Sequence, residues 1–194
     1  MRLAIFGGTF DPVHRAHLAV AREAAARFAL DRVLFVPAAR PPHKAGLTHA
    51  GYEDRVRMVE LACATEPRFE VSRLEQGTVR SYSIETIGKV RAQFPGDELF
   101  FIIGADAFAE IKTWRRWPEV IESVIFVVVS RPGHDYEIPT GSKVLRLDSL
   151  DMPVSSSQIR RSLAAGGAPD AVPPAVLEFI RARGLYCTEP YRVR

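Results

Sequence analysis

Two histidines three residues apart, His14 and His17, follow the run Gly7-Gly8-Thr9-Phe10-Asp11-Pro12. At the start of a helix, residues i and i+3 share a face, so both imidazoles can point at one place. Gly7 and Gly8 remove side chains where backbone N–H groups can approach an anion. A helix that begins near His14 adds the positive end of its dipole. The chemistry so described is phosphate binding, with imidazole N–H groups as donors. Two histidines standing alone at a helix end would read first as partly exposed side chains, and it is the preceding glycines that shift the balance to a ligand. A metal site would need further ligands, and no Cys or carboxylate stands at a convincing spacing.

Far along the chain, Ser155-Ser156-Ser157-Gln158-Ile159-Arg160-Arg161 offers capping hydroxyls and two arginines in the first turns of a helix that stops at Gly166-Gly167. Arg160-Arg161, like Arg115-Arg116, also fits plain solvated charge. Trp114 also suits a partly buried packing residue, and Asp106 a helix cap.

The elements that must position these residues alternate. Leu3-Ala4-Ile5-Phe6 reads as a strand buried on both faces. Arg15 to Ala29 is alanine-rich, with Leu18, Ala21, Ala25 and Phe28 on one helical face. A strand Val33–Val36 is followed by a loop from Pro37 to about Gly51. Within it Pro41-Pro42 stiffens the chain and presents His43 and Lys44 outward. Tyr52, Val56, Val59 and Cys63 mark the next helix, and Phe69 to Leu74 a strand. Ser81 or Ser83 is expected to cap a helix running to Phe94-Pro95-Gly96. Strands follow at Leu99–Ile103, Val124–Val129 and Lys143–Leu147. Between the first two of these, Gly104-Ala105-Asp106 opens a short helix through Phe108 and Ile111 that Trp114 to Trp117 closes. Pro173-Pro174 opens a last helix, with Val176, Phe179 and Ile180 inward and Gly184 as its carboxyl cap. This pattern predicts an α/β fold, a Rossmann-like three-layer sandwich with a mainly parallel central sheet. Its ligands belong beyond the carboxyl ends of the strands, where Gly7, Ser83, Asp106 and Ser155 all fall.

The 194 residues, 47% hydrophobic and 25% charged, fit one domain over 1–194, with a helical portion from about residue 155. A net charge of +3, from 26 basic and 23 acidic residues, favours anionic ligands but is too small to imply nucleic acid. Cys63 and Cys187 form no disulfide framework and fit a reducing, cytoplasmic setting. No apolar run approaches membrane-spanning length. The chain has neither a Gly-x-x-x-x-Gly-Lys-Ser/Thr loop nor a Gly-x-Gly-x-x-Gly after the first strand, which disfavours P-loop kinases and ordinary dehydrogenases. A homo-oligomer is compatible with the sequence but not indicated by it.

Gly8-Thr9-Phe10-Asp11-Pro12 with His14-x-x-His17, and Ser155-Ser156-Ser157-x-Ile159-Arg160, together resemble the paired signature of the nucleotidyltransferase superfamily with His-x-Gly-His and Ile-Ser-Ser-Thr-x-Ile-Arg motifs. Within it the chain is most similar to the bacterial nicotinate mononucleotide adenylyltransferases over almost its whole length. The supporting stretches are Pro41-Pro42-His43-Lys44, Ser81-Tyr82-Ser83, Ile103-Gly104-Ala105-Asp106, Thr113-Trp114, Arg131-Pro132-Gly133 and Gly184-Leu185-Tyr186. The resemblance implies transfer of AMP from ATP to nicotinate mononucleotide, with magnesium arriving on ATP and no dedicated metal ligands. It implies that His14, His17 and Arg160 are catalytic, and that they bind ATP with Gly7, Gly8, Thr9, Phe10, Ser155, Ser156 and Ser157. It implies an acceptor site of Ser83, Trp114, Arg115 and Asp106, with His43 and Lys44 over the reacting phosphates. Ala16 stands where the family has glycine, and Ser83 and Ser157 where it has threonine. A related phosphorylated acceptor, or a regulator that binds nucleotide without turnover, are the alternative readings.

Overall fold

The structure is a computed structural model that describes residues 1–40, 48–130, 135–148 and 154–187. His43 and Lys44 lie outside the described residues, as do Pro41-Pro42 and Arg131-Pro132-Gly133.

Six strands, β1 (Arg2–Gly8), β2 (Arg32–Pro37), β3 (Phe69–Val71), β4 (Glu98–Gly104), β5 (Ile125–Ser130) and β6 (Lys143–Asp148), form one sheet in the order β3-β2-β1-β4-β5-β6. Every pairing is parallel. The helices are α1 (Arg15–Arg27), α2 (Tyr52–Cys63), α3 (Ser83–Gln93), α4 (Ala105–Ala109), α5 (Trp117–Ser123), α6 (Ser156–Ala164) and α7 (Pro174–Arg183). A parallel sheet built by crossovers must be covered on both faces, and the period of two in its strands does that sorting. Ala4, Val33, Phe35, Phe100, Ile102 and Val127 face one layer, with residues of α1, α2, α6 and α7. Leu3, Ile5, Leu34, Phe101, Ile103 and Phe126 face the other, with residues of α3, α4 and α5. The α/β three-layer sandwich expected from the alternation is therefore the fold.

Several boundaries differ from the sequence reading. The third strand ends at Val71 rather than Leu74, because the chain leaves the sheet to carry Glu75 onto α3, where Thr86 donates a hydrogen bond to it. The first helix ends at Arg27, not Ala29. Ala29 takes a left-handed φ of 49°, and Leu30 N–H closes the end by donating to Ala25 O at 3.0 Å, the pattern of a Schellman cap without its usual glycine. Neither Ser81 nor Ser83 caps α3. Tyr82 holds that position, while the Ser81 hydroxyl accepts the Arg40 N–H at 3.1 Å. The expected cap at Gly184 is present, with φ 61°.

The order of strands reverses between β1 and β4. Successive connections lead outward in opposite directions from these two neighbours, which leaves a crevice at their carboxyl ends. Gly7 and Gly8 end one strand and Gly104 the other.

Candidate active site at the switch point

The turn after β1 is set by packing before any ligand enters. Phe10 has a left-handed φ of 49°, and its ring is buried against Phe6, Phe35 and His17 at centroid distances of 5.7, 5.6 and 5.1 Å. A Cβ on Gly8 would meet that ring at 2.8 Å, so glycine there is required by close approach. Phe10 thus spends its side chain on the core and leaves only backbone to the crevice.

His14 is the residue before α1, and the two imidazoles stack at 3.7 Å between centroids. The His14 N–H donates to His17 Nδ1 at 3.2 Å. His17 Nδ1 is an acceptor in that bond, so the ring proton sits on Nε2, at the outer end of the side chain. His14 is buried, and loss of hydration lowers its imidazole from 6.5 to about 4, which keeps it neutral at physiological pH. Its Nδ1 is buried without a partner among the described residues.

The start of α6 is docked on the same turn. Ser155 caps the helix, accepting Gln158 N–H at 3.3 Å, and Ser156 donates to Pro12 O at 3.1 Å. Arg160 Nη1 donates to Asp11 O at 2.7 Å, and Nη2 to Ser157 Oγ at 3.2 Å. The structure therefore brings Arg160 to the turn that carries His14 and His17. The Ser155 and Ser156 hydroxyls are engaged within the protein, and the Ser155 N–H donates to Gln158 Oε1 at 3.1 Å, which leaves the N–H groups of Ser156 and Ser157 at this helix start as the candidate donors to a ligand. Arg161 is exposed, as is Arg116, which is paired with Glu119 at 2.7 Å.

Beside the turn lies a cavity of about 460 Å³ lined by Gly7, Gly8 and Thr9, by Ile103 and Gly104, and by Ser83, Trp114 and Arg115. Trp114 is held edge-on by Phe101 at 6.1 Å and presents part of its indole to the cavity. Arg115 reaches across to Glu85 at 2.9 Å and lies over the Tyr82 ring at 4.7 Å. Ser83 opens α3 and lines the cavity, so the first N–H groups and positive dipole end of that helix are available to an anionic group there. Asp106 is different. It is exposed in the first turn of α4 and does not line the cavity, although Gly104 and Ala107 on either side of it do.

Three supporting residues escaped the sequence reading. Arg55 is 1% exposed and donates to Thr9 O at 2.7 Å and Ala50 O at 3.3 Å. Burial lowers its pKa and the nearby Asp11 opposes that shift. Its signal was an arginine on the inward face of α2, beside Val56 and Val59. Glu75 and Thr86 are both buried and line the cavity wall, and nothing local in the sequence marks that pair.

The chain matches the cytidylyltransferase-like family over residues 5–162. A probable nicotinate-nucleotide adenylyltransferase of Solibacter usitatus is 70% identical over 187 residues, covering 96% of this chain and 100% of that protein. A probable nicotinate-nucleotide adenylyltransferase of Thermus thermophilus is 45% identical over 188 residues, with 96% and 100% covered. Among solved structures, Plasmodium falciparum nicotinic acid mononucleotide adenylyltransferase complexed with NaAD shares the fold, with a TM-score of 0.78 at 17% identity over 95% of this chain and 97% of that one. A glycine and histidine turn at the switch point, an arginine-bearing helix docked on it and relatives of this similarity along nearly the whole chain lead to one conclusion: the chain belongs to the cytidylyltransferase-like family and, within it, to the nicotinate-nucleotide adenylyltransferases.

Proposed function

We infer that the protein transfers the adenylyl group of ATP to the phosphate of nicotinate mononucleotide, forming nicotinate adenine dinucleotide and releasing pyrophosphate, a step of NAD biosynthesis. The observation that carries this reading is the junction at the switch point. There one turn meets a histidine pair and Arg160 on one side and a cavity walled by Trp114 and the start of α3 on the other.

An oxygen of the acceptor phosphate attacks the α-phosphorus of ATP. One P–O bond forms, the bond from the α-phosphorus to the bridging oxygen breaks, and pyrophosphate leaves with that electron pair. The nucleophile is already an anion, so no side chain need be activated and no covalent enzyme intermediate is required. Catalysis then rests on alignment and on stabilising phosphate charge. In this reading His14 and His17 donate to phosphate oxygens as neutral imidazoles, and Gly7, Gly8, Thr9 and Phe10 offer backbone. Arg160 and the backbone at Ser155, Ser156 and Ser157 hold the triphosphate from the far side, where a guanidinium fork suits phosphate. Trp114 stacks on the pyridine ring, and Ser83 with the first N–H groups of α3 receives its carboxylate. We assign Asp106 to nucleotide hydroxyls at the rim, Arg115 to the acceptor's carboxylate end, and His43 with Lys44 to the reacting phosphates.

Magnesium belongs in this scheme to ATP, as part of the substrate. Among the described residues no three His, Cys, Asp or Glu side chains converge as ligands, and no step is routed through a protein-bound ion. No helix among the described residues is long and apolar enough to cross a membrane. The unpaired Cys63 and Cys187 support a cytoplasmic setting.

The test supplies ATP, magnesium and either the acid or the amide mononucleotide to the purified protein. Pyrophosphate release is expected to be far faster with the acid, and equal rates overturn the acceptor assignment. In the same assay Trp114→Ala is expected to raise the acceptor KM about tenfold while leaving that for ATP near its original value. His17→Ala is expected to depress kcat much more than acceptor binding. An unchanged acceptor KM in Trp114→Ala overturns the placement of the ring.

A further inference from the structure

Asp11 lies at the centre of the phosphate-binding turn, 3% exposed, and its carboxylate is met by three donors. These are His49 N–H at 2.7 Å, Ala50 N–H at 3.1 Å and the Tyr186 hydroxyl at 2.7 Å. The main-chain carbonyl of the same residue receives Arg160 Nη1 at 2.7 Å. The side chain proposed to grip the triphosphate therefore sits within reach of a buried anion that is not its substrate. Arg160 also acts electrostatically on the Tyr186 hydroxyl, which places the three groups together.

Two of the donors to Asp11 are backbone groups, and the third comes from a side chain 175 residues away. Tyr186 follows α7 with a left-handed φ of 65°, a conformation that costs free energy in a residue with a Cβ and is held by its surroundings. A buried carboxylate that loses one of its donors takes the nearest replacement, because a bare oxygen in a dry site is costly. Here a neighbouring replacement is the Arg160 guanidinium.

We propose that Tyr186 is a positioning residue for ATP: its hydroxyl occupies the Asp11 carboxylate and so keeps the Arg160 guanidinium on the Asp11 carbonyl and Ser157, with its remaining N–H groups left for the triphosphate. The proposal rests on the adenylyl-transfer reading for the role of Arg160. It adds a specific dependence of that role on the segment after the last described helix.

The experiment compares wild type, Tyr186→Phe, Arg160→Ala and the double variant. It uses calorimetric titration with a non-hydrolysable ATP analogue, steady-state pyrophosphate release and thermal melting. Tyr186→Phe is expected to raise the analogue's Kd roughly five- to tenfold and to leave the nicotinate mononucleotide KM within about twofold of its wild-type value. In the Arg160→Ala background the same change is expected to add nothing further, the signature of two residues acting on one interaction. A lower melting temperature with unchanged analogue affinity overturns the proposal in favour of a purely structural tyrosine. So does equal weakening of both substrates, or additivity with Arg160→Ala. Failure of the wild type to release pyrophosphate instead overturns the adenylyl-transfer reading, and the calorimetry tells the two apart.

Discussion

His14 illustrates how a residue's stability cost and its proposed role have one origin. It is 5% exposed, and burial lowers its pKa to about 4 from the ordinary 6.5. The unfolded chain takes up a proton at this residue near 6.5, whereas the folded protein does so only near 4. Between those values the unfolded state binds more protons, so stability falls as the pH drops through the window. The contribution is intact above it and lost below it, and amounts to on the order of 3 kcal/mol. Urea midpoints taken at pH 7.5 and 4.5 are expected to differ less in His14→Gln than in wild type. An equal difference in both proteins contradicts this account. The same burial keeps the His14 imidazole neutral, the state its proposed role as a phosphate donor requires.

At the scale of elements, the turn after β1 is a joint between β1, α1, α2 and α6 rather than a free loop. Arg55 supports it from α2 through Thr9 O, Ala50 O and Ala39 O. The Ala50 peptide bridges the buried cation to the buried Asp11, giving its N–H to the carboxylate at 3.1 Å. Removing one partner of such a buried arrangement leaves the other charge uncompensated and those carbonyls short of a donor. Arg55→Leu is therefore expected to cost roughly 3 kcal/mol in chemical denaturation, and to weaken ATP binding because the Thr9 carbonyl is released. Full stability in that variant would show that the joint does not depend on the guanidinium.

At the scale of the whole molecule, one core layer joins residues from Ala4 in β1 to Ile180 in α7, and the sheet separates it from a second layer that includes Trp114 and Trp117. We propose that the chain is a single cooperative unit over its length. Tryptophan fluorescence, which reports the second layer, and far-ultraviolet circular dichroism, which reports both, are expected to give coincident melting curves. Separate transitions would mean that the helical portion from about residue 155 folds apart from the rest.

The fold class was legible in the sequence because strands such as Leu99–Ile103 are apolar throughout, and helices such as that of Leu18, Ala21 and Ala25 carry a period of their own. The turn proposed to bind phosphate stood out in the sequence too. Its glycines, histidines and arginine answer to local geometry and to chemistry that few other residue types perform. Boundaries set by tertiary demands were not legible, as the short third strand and the Tyr82 cap show. Nor were Arg55, Glu75 with Thr86, and the bond from Tyr186 to Asp11. Each joins residues remote in sequence, and a buried polar group is defined by a partner that periodicity does not reveal. The amino-acid sequence by itself determined which elements form and which residues are the candidates for holding phosphate. The tertiary structure decided which buried partners hold that turn in place, because partners across 175 residues meet only when the sheet closes both layers around them.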